Sequence, residues 1–200
     1  MQNQRPRMPG SQLLADFSRR STESLHEWAV WKLERGTFTD PEGGSFERTY
    51  VLSPGAVAVV PLRFEGGDAW VTLVRQYRPA FDKQMLEIPA GMRDIEGESP
   101  ETTAARELLE ETGLIAGQLD PLGRMASAPG ITNSEVIIFL GTQLTAGKPH
   151  RHGPEEPHLD MAEMTLGDAL ATARDGLIDD SKTMVGLLLA SETIQGDNRK

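Results

Sequence analysis

The segment from Ser99 to Leu114 constrains the chain most, because sharp helix boundaries enclose a charge arrangement that opposes an isolated helix. Ser99 is a natural N-cap, Pro100 suits the first helical position and Gly113 suits the position after the last turn. The spacing therefore predicts a helix over 100–112. Within it Glu107 and Glu111 are four residues apart and share a face, and Glu107 and Glu110 are three apart. Like charges at these spacings cost roughly 0.2–0.5 kcal/mol per pair. Glu110 and Glu111 also fall in the last turn, where the helix dipole favours cations, and Arg106 is the local compensation. Two readings answer this conflict. Either the face is simply solvated, or a hard divalent cation held by Glu107 and Glu111 removes the repulsion. Mg²⁺ takes oxygen ligands, commonly one or two carboxylates with waters and substrate phosphates.

Composition narrows the class. A chain of 200 residues that is 38% apolar can build one cored domain with room for a small appendage. With no cysteine there is no disulfide, thiolate metal site or cysteine nucleophile, which fits a reducing cytoplasm. The N-terminus has no apolar signal core and no apolar run reaches 18 residues, so neither export nor a spanning helix is expected. A formal net charge of −10 argues against nonspecific binding to nucleic acid or an anionic membrane.

Along the chain, residues 1–21 read as a mobile N-terminal arm, 22–54 as an N-terminal β segment and 55–195 as the main domain. In the β segment, runs at 28–33, 36–39 and 46–52 surround a Gly- and Pro-containing turn at 40–44, a hairpin signature. Strands are expected at 56–62, 69–76, 85–88, 122–127, 136–142 and 159–165, with helices at 166–174 and 180–195. Mixed strands interrupted by one helix and closed by two more predict an α/β sheet with helices packed on it.

The order Gly91, Glu98, Arg106-Glu107, Glu110-Glu111, Gly113-Leu114 resembles the Nudix box, Gly-x5-Glu-x7-Arg-Glu-U-x-Glu-Glu-x-Gly-U with U aliphatic. The one departure is that six residues, not five, separate Gly91 from Glu98. This insertion precedes the helix and leaves the register of its acidic residues intact. The runs 53–61, Val74-Arg-Gln-Tyr-Arg78, Leu86-Glu-Ile-Pro-Ala-Gly91, Ala128-Pro-Gly130 and Asp180-Ser-Lys-Thr183 look like the bacterial ADP-ribose pyrophosphatase branch, so the resemblance spans roughly 28–190. A second departure is Ser134, where many relatives carry an acid; Glu135 follows one place later.

The resemblance implies a Nudix-type α/β/α sandwich over a mixed sheet, preceded by an antiparallel strand segment that exchanges between two copies in a homodimer. It implies Glu107, Glu111 and the Ala90 carbonyl as ligands of Mg²⁺ or Mn²⁺, with Glu110 as a further ligand. Glu98 and Arg106 orient loop and helix, while Gly91 and Gly113 serve backbone conformation. The catalytic base comes from a later loop, here the Gly- and Pro-rich stretch 150–158, in which Glu156 fits best and Glu155 is the runner-up. The three histidines of that loop lack a helical i,i+4 spacing, which speaks against zinc. Arg48 and Arg78 match arginines that contact substrate phosphate or sugar, and Trp28 and Trp31 lie where relatives stack the base. Surface and core packing are the competing readings for these four. The implied activity is hydrolysis of ADP-ribose, a nucleotide sugar, to AMP and ribose 5-phosphate. The alternatives are another nucleoside diphosphate sugar such as GDP-mannose, or a noncatalytic nucleotide-binding module.

Overall fold

The computed structural model describes residues 17–148 and 159–197. The described residues form two compact units, one reaching to Ser53 and including Gly130–Thr132, the other made of Pro54–Pro129 and the described residues from Asn133 on.

In the first unit, β1 (Ser18–Trp28), β2 (Trp31–Thr39) and β3 (Ser45–Leu52) form an antiparallel meander in the order β1-β2-β3. The β2–β3 turn is closed by Asp40, whose carbonyl accepts from Gly43 N at 3.1 Å and whose Oδ1 accepts from Gly44 N at 2.6 Å. Two expectations change here. The run expected at 28–33 is split by a two-residue turn, and β1 begins at Ser18, inside the stretch read as an arm. Ala29 takes the turn at φ 46, without the Gly, Asn or Pro that usually mark such a bend. Every residue of β1 is exposed, so no buried face imposes the alternation by which a strand is read from sequence.

The second unit carries the sheet expected for the α/β class. Its elements are β4 (Ala56–Glu65), β5 (Asp68–Arg78), β6 (Lys83–Glu87), β7 (Ala90–Met92), α1 (Pro100–Thr112), β8 (Leu114–Ala126), β9 (Glu135–Ala146), β10 (Asp160–Thr165), α2 (Leu166–Arg174) and α3 (Ser181–Asp197). The strand order is β10-β5-β4-β9-β8, with β6 paired to β5 and β7 to β4. The sheet is mixed because β4 runs parallel to β9 while the remaining pairs are antiparallel.

The alternation of β4 sends its side chains to two cores. Val57 and Val59 pack with Ala104 and Leu108 of α1, whereas Ala58, Val60 and Leu62 pack with Leu166 and Ala169 of α2 and Leu187 and Ala190 of α3. One strand with both faces buried thus fixes α1 on one side of the sheet and α2 and α3 on the other, the α/β/α sandwich.

Helix α1 keeps its expected limits. Ser99 Oγ accepts from Thr102 N at 3.1 Å, and Gly113, at φ 71, donates its N–H to Leu109 O at 2.8 Å. Strand β8 is longer than expected, starting at Leu114 rather than Leu122. Gly117 and Pro121 interrupt its pattern. A Cβ at Gly117 would sit 2.9 Å from Gln143 Cβ, so the partner strand leaves no room for the side chain a strand pattern would show.

Candidate active site

Strand β7, the loop after it and one face of α1 surround an open pocket of about 500 Å³. Ala90, Gly91, Arg106, Glu107, Glu110, Glu111 and Arg78 all line it. The sequence separates these residues by up to 33 positions. The pairing of β7 with β4 and the packing of α1 on the same strand bring them together.

Glu111 is buried at 5% exposure and accepts from Ala90 N at 3.1 Å. Burial raises its carboxyl pKa to about 8, the Glu107 charge adds to the rise, and the Ala90 N–H, Arg78 and Lys182 oppose it. Gly91 is not among the glycines at positive φ. Its need for glycine is steric instead: a Cβ there would lie 1.9 Å from Glu107 Cδ. Only a residue without a Cβ leaves room for the Glu107 carboxylate in this position.

Arg106 holds the acidic face in order. Its Nη1 lies 2.7 Å from Glu107 Oε1 and 2.9 Å from Glu110 Oε2, and its Nη2 lies 3.3 Å from Glu98 Oε2. Glu98 also accepts from Thr103 Oγ1 at 2.9 Å, and the Arg106 bond holds its carboxyl below the usual range. The loop with the extra residue turns at Gly97, φ 80, where Glu98 N donates to Ile95 O at 3.2 Å. The turn delivers Glu98 to Arg106 at the start of α1.

Among the described residues, no three His, Cys, Asp or Glu side chains converge as a ready metal cluster. Arg106 instead engages Glu107 and Glu110. The donor chemistry nonetheless fits a hard divalent cation. The Ala90 carbonyl and the Glu107 and Glu111 carboxylates are all oxygen, and a cation would reverse the cost that keeps buried Glu111 protonated.

The pH consequence has a definite sign. Because the folded pKa of Glu111 lies above its ordinary 4.5, the native state binds more protons than the unfolded state between about 4.5 and 8. Its contribution to stability is complete below 4.5 and is lost as pH rises toward 8. A cation that binds the ionised carboxylate should therefore raise the melting temperature more at pH 8.5 than at pH 6, in scans with Mg²⁺ against EDTA. An equal shift at both values would show that Glu111 does not titrate with cation binding.

Behind the pocket, Arg78 is held by Glu87 of β6, which is 1% exposed. Nε donates to Oε1 and Nη2 to Oε2, each at 2.7 Å. Lys182 of α3 donates to the same Oε2. Burial pushes the Glu87 carboxyl up, but Arg78 and Lys182 outweigh it and the net direction is down. Sequence reasoning assigned no role to Glu87 or Lys182, although both lie in quoted motifs. The available signal was a carboxylate within the otherwise apolar run Met85–Ile88.

The other expected residues are placed as follows. Arg48, on β3, is exposed, donates to Glu47 O at 2.7 Å and lies 5.0 Å over the Phe46 ring. Trp28 and Trp31 flank the β1–β2 turn with ring centroids 6.1 Å apart, and His26 stacks on Trp28 at 5.6 Å. All three belong to the first unit. Glu155 and Glu156 lie outside the described residues. Glu135 starts β9 and pairs with Arg124 at 3.6 Å, while Ser134 Oγ accepts from Ser127 Oγ at 3.4 Å.

Comparison with known proteins agrees with this geometry. The NUDIX domain model matches residues 52–184. The ADP-ribose pyrophosphatase of Mycobacterium tuberculosis (strain ATCC 25618 / H37Rv) is 35% identical over 182 residues, covering 90% of this chain and 86% of that one. The methanol dehydrogenase activator of Bacillus methanolicus is 34% identical over 83% of this chain and 88% of its own. A solved structure, "Crystal structure of ADP compounds hydrolase", superposes with a TM-score of 0.80 at 22% identity, covering 95% of this chain and all of that one. With the box residues gathered at one pocket on an α/β/α sandwich, and a family match across most of the sequence, the chain belongs to the Nudix hydrolases, in the ADP-ribose pyrophosphatase branch.

Proposed function

We propose that this protein hydrolyses the pyrophosphate bond of ADP-ribose, releasing AMP and ribose 5-phosphate, with a divalent cation at the Glu107–Glu111 pocket. The observation that carries the reading is buried Glu111 beside the Ala90 backbone, with Glu107 against Gly91 and Arg78 at the same opening. Similarity to ADP-ribose pyrophosphatases supports the choice of substrate. A Mg²⁺ or Mn²⁺ ion held at this pocket would supply charge neutralisation at the phosphoryl oxygens and a more acidic water.

The chain's own residues do the rest. Glu107, Glu111 and the Ala90 carbonyl would hold the cation, with Glu110 as a further ligand or as added negative charge at the same face. Arg106 and Glu98 keep helix and loop in register through their ion pair. Arg78 offers a planar fork to a phosphate, while Arg48 and an aromatic face at Trp28 or Trp31 serve the sugar and base. Glu156 acts as the base, with Glu155 the alternative. Replacement of Glu156 by Gln should lower kcat about a hundredfold, within the range for loss of general base catalysis, while Mg²⁺ still stabilises the fold. If Glu155→Gln is the damaging change instead, the base is Glu155.

The first unit presents β1 exposed along its whole length, with Phe17, Leu25 and Trp28 among its exposed apolar side chains. This supports a homodimer in which a second copy covers that surface. Among the described residues, no helix is long and apolar enough to cross a membrane.

The deciding experiment is product release from ADP-ribose, GDP-mannose, UDP-glucose, NADH and diadenosine polyphosphates, with Mg²⁺ and with EDTA. Metal-dependent AMP from ADP-ribose, at a kcat/KM well above the rest, is the expected result. Preference for another compound would move the substrate. Nucleotide binding without turnover would favour a noncatalytic regulatory module.

A further inference from the structure

We infer that Lys182 and Glu87 form a positioning pair for Arg78, fixing its guanidinium at the pocket in the orientation that receives a substrate phosphate. This inference rests on the hydrolase reading above.

Glu87 is an expensive residue to bury unless its charge is matched and its oxygens are bonded. Both oxygens are bonded here, and to cations. Arg78 takes them as a two-pronged fork at 2.7 Å each, and Lys182 adds a second cation at Oε2. The fork sets the plane of the guanidinium, not merely its distance. An arginine whose side chain is 37% exposed would otherwise sample many rotamers and lose that freedom when ligand binds. The two bonds to Glu87 occupy two of the five N–H donors of the fork.

Lys182 is itself anchored. Its Nζ lies 3.0 Å from Asp180 Oδ2. Asp180 Oδ2 also accepts from Thr183 N at 2.9 Å and Thr183 Oγ1 at 2.6 Å, closing the first turn of α3. Thr183 Oγ1 in turn accepts from Ile88 N at 2.9 Å, next to Glu87. The start of α3 is thus fastened to the β6–β7 connection at both a backbone and a side-chain point. Three residues beyond Glu87 that connection reaches Ala90, whose N–H is bonded to Glu111.

Charge explains why a lysine is needed as well as the fork. Arg78 and Lys182 balance Glu87 and Asp180. Without Lys182 the cluster would carry an excess negative charge beside an anionic substrate. The carboxylate would also keep only one cation to hold Oε2 in place.

A structural salt-bridge cluster would affect stability, and Arg78 only incidentally. A positioning pair must act through Arg78, so the test is a double-mutant cycle on ligand affinity. ADP-ribose binding is measured by calorimetry in EDTA, KM and kcat are measured with Mg²⁺, and melting temperature is followed in parallel. Lys182→Met should weaken binding and raise KM about tenfold, with kcat changed far less, which lies within the usual range of pairwise coupling. Arg78→Ala should weaken binding at least as much, and Lys182→Met added to it should change affinity less than about twofold. Lys182→Arg, which keeps the charge, should restore most of the loss.

If Lys182→Met is too unstable to assay, Glu87→Gln should show the same dependence on Arg78. Independent multiplication of the two effects, or unchanged affinity in Lys182→Met, would overturn the positioning role while leaving the hydrolase reading intact. Wild-type protein that neither binds nor cleaves ADP-ribose would instead overturn the proposed function, and this inference with it.

Discussion

Glu111→Gln is expected to lower kcat for ADP-ribose by about a thousandfold or more, a barrier increase of about 4 kcal/mol, while the protein still folds. The two halves of this expectation share one cause. Glu111 is 5% exposed, and its pKa is raised to about 8 by burial, so near pH 7 without a cation it is mostly neutral. Glutamine is close to isosteric with that neutral acid and can still accept from Ala90 N through its amide oxygen. The fold therefore loses little. The reaction loses a buried carboxylate whose desolvation, only partly opposed by the Ala90 N–H, Arg78 and Lys182, a bound cation would offset. Three readouts belong together: kcat with Mg²⁺, melting temperature in EDTA, and the shift in melting temperature on adding Mg²⁺. The expected pattern is a collapsed kcat, a nearly unchanged EDTA melt and a lost or much reduced Mg²⁺ shift. Activity near wild type with Mg²⁺ would remove Glu111 from the ligand set.

The same residue illustrates what sequence can and cannot show. The acidic face of α1 was legible because its signals are local: a cap at Ser99, Pro100, a terminating Gly113, and glutamates at fixed helical spacings. Which glutamate is buried was not legible, since it depends on the pairing of β7 with β4, which brings Ala90 N against Glu111. The sandwich could be read from the order of strands and helices. The turn at Ala29 and the first half of β8 could not, because one lacks a turn residue and the other is interrupted by Gly117 and Pro121. Lys182 and Glu87 meet across 95 residues, and no periodicity joins a strand residue to the first turn of a distant helix. Each of the two short runs resembles the family branch, but neither indicates that a buried ion pair connects them.

Gly91→Ala provides the sharper contrast between stability and activity. Alanine at this position requires no forbidden φ, and in the unfolded chain it removes some conformational freedom, which alone would favour folding by about 0.4–1 kcal/mol. The new methyl, however, would fall 1.9 Å from Glu107 Cδ, 2.2 Å from Oε1 and 2.3 Å from Oε2. These atoms are the far end of a flexible side chain, not backbone. The relief available is to swing the Glu107 carboxylate away, which also disturbs its 2.7 Å pairing with Arg106. The fold should consequently survive with a melting temperature within a few degrees of wild type. The carboxylate at the proposed cation site should be displaced by more than an ångström, and displacements of that size can cost about a hundredfold in rate. kcat/KM for ADP-ribose should fall by at least about that factor, and the Mg²⁺ concentration needed for half-maximal activity should rise. Glu107→Gln should produce a comparable loss, and adding Gly91→Ala to it should do little further harm, because both changes act on one carboxylate. If Gly91→Ala is as active as wild type, Glu107 can serve from a rotamer other than the one seen against Gly91. If its effects multiply with those of Glu107→Gln, Gly91 acts on the reaction through something other than this contact.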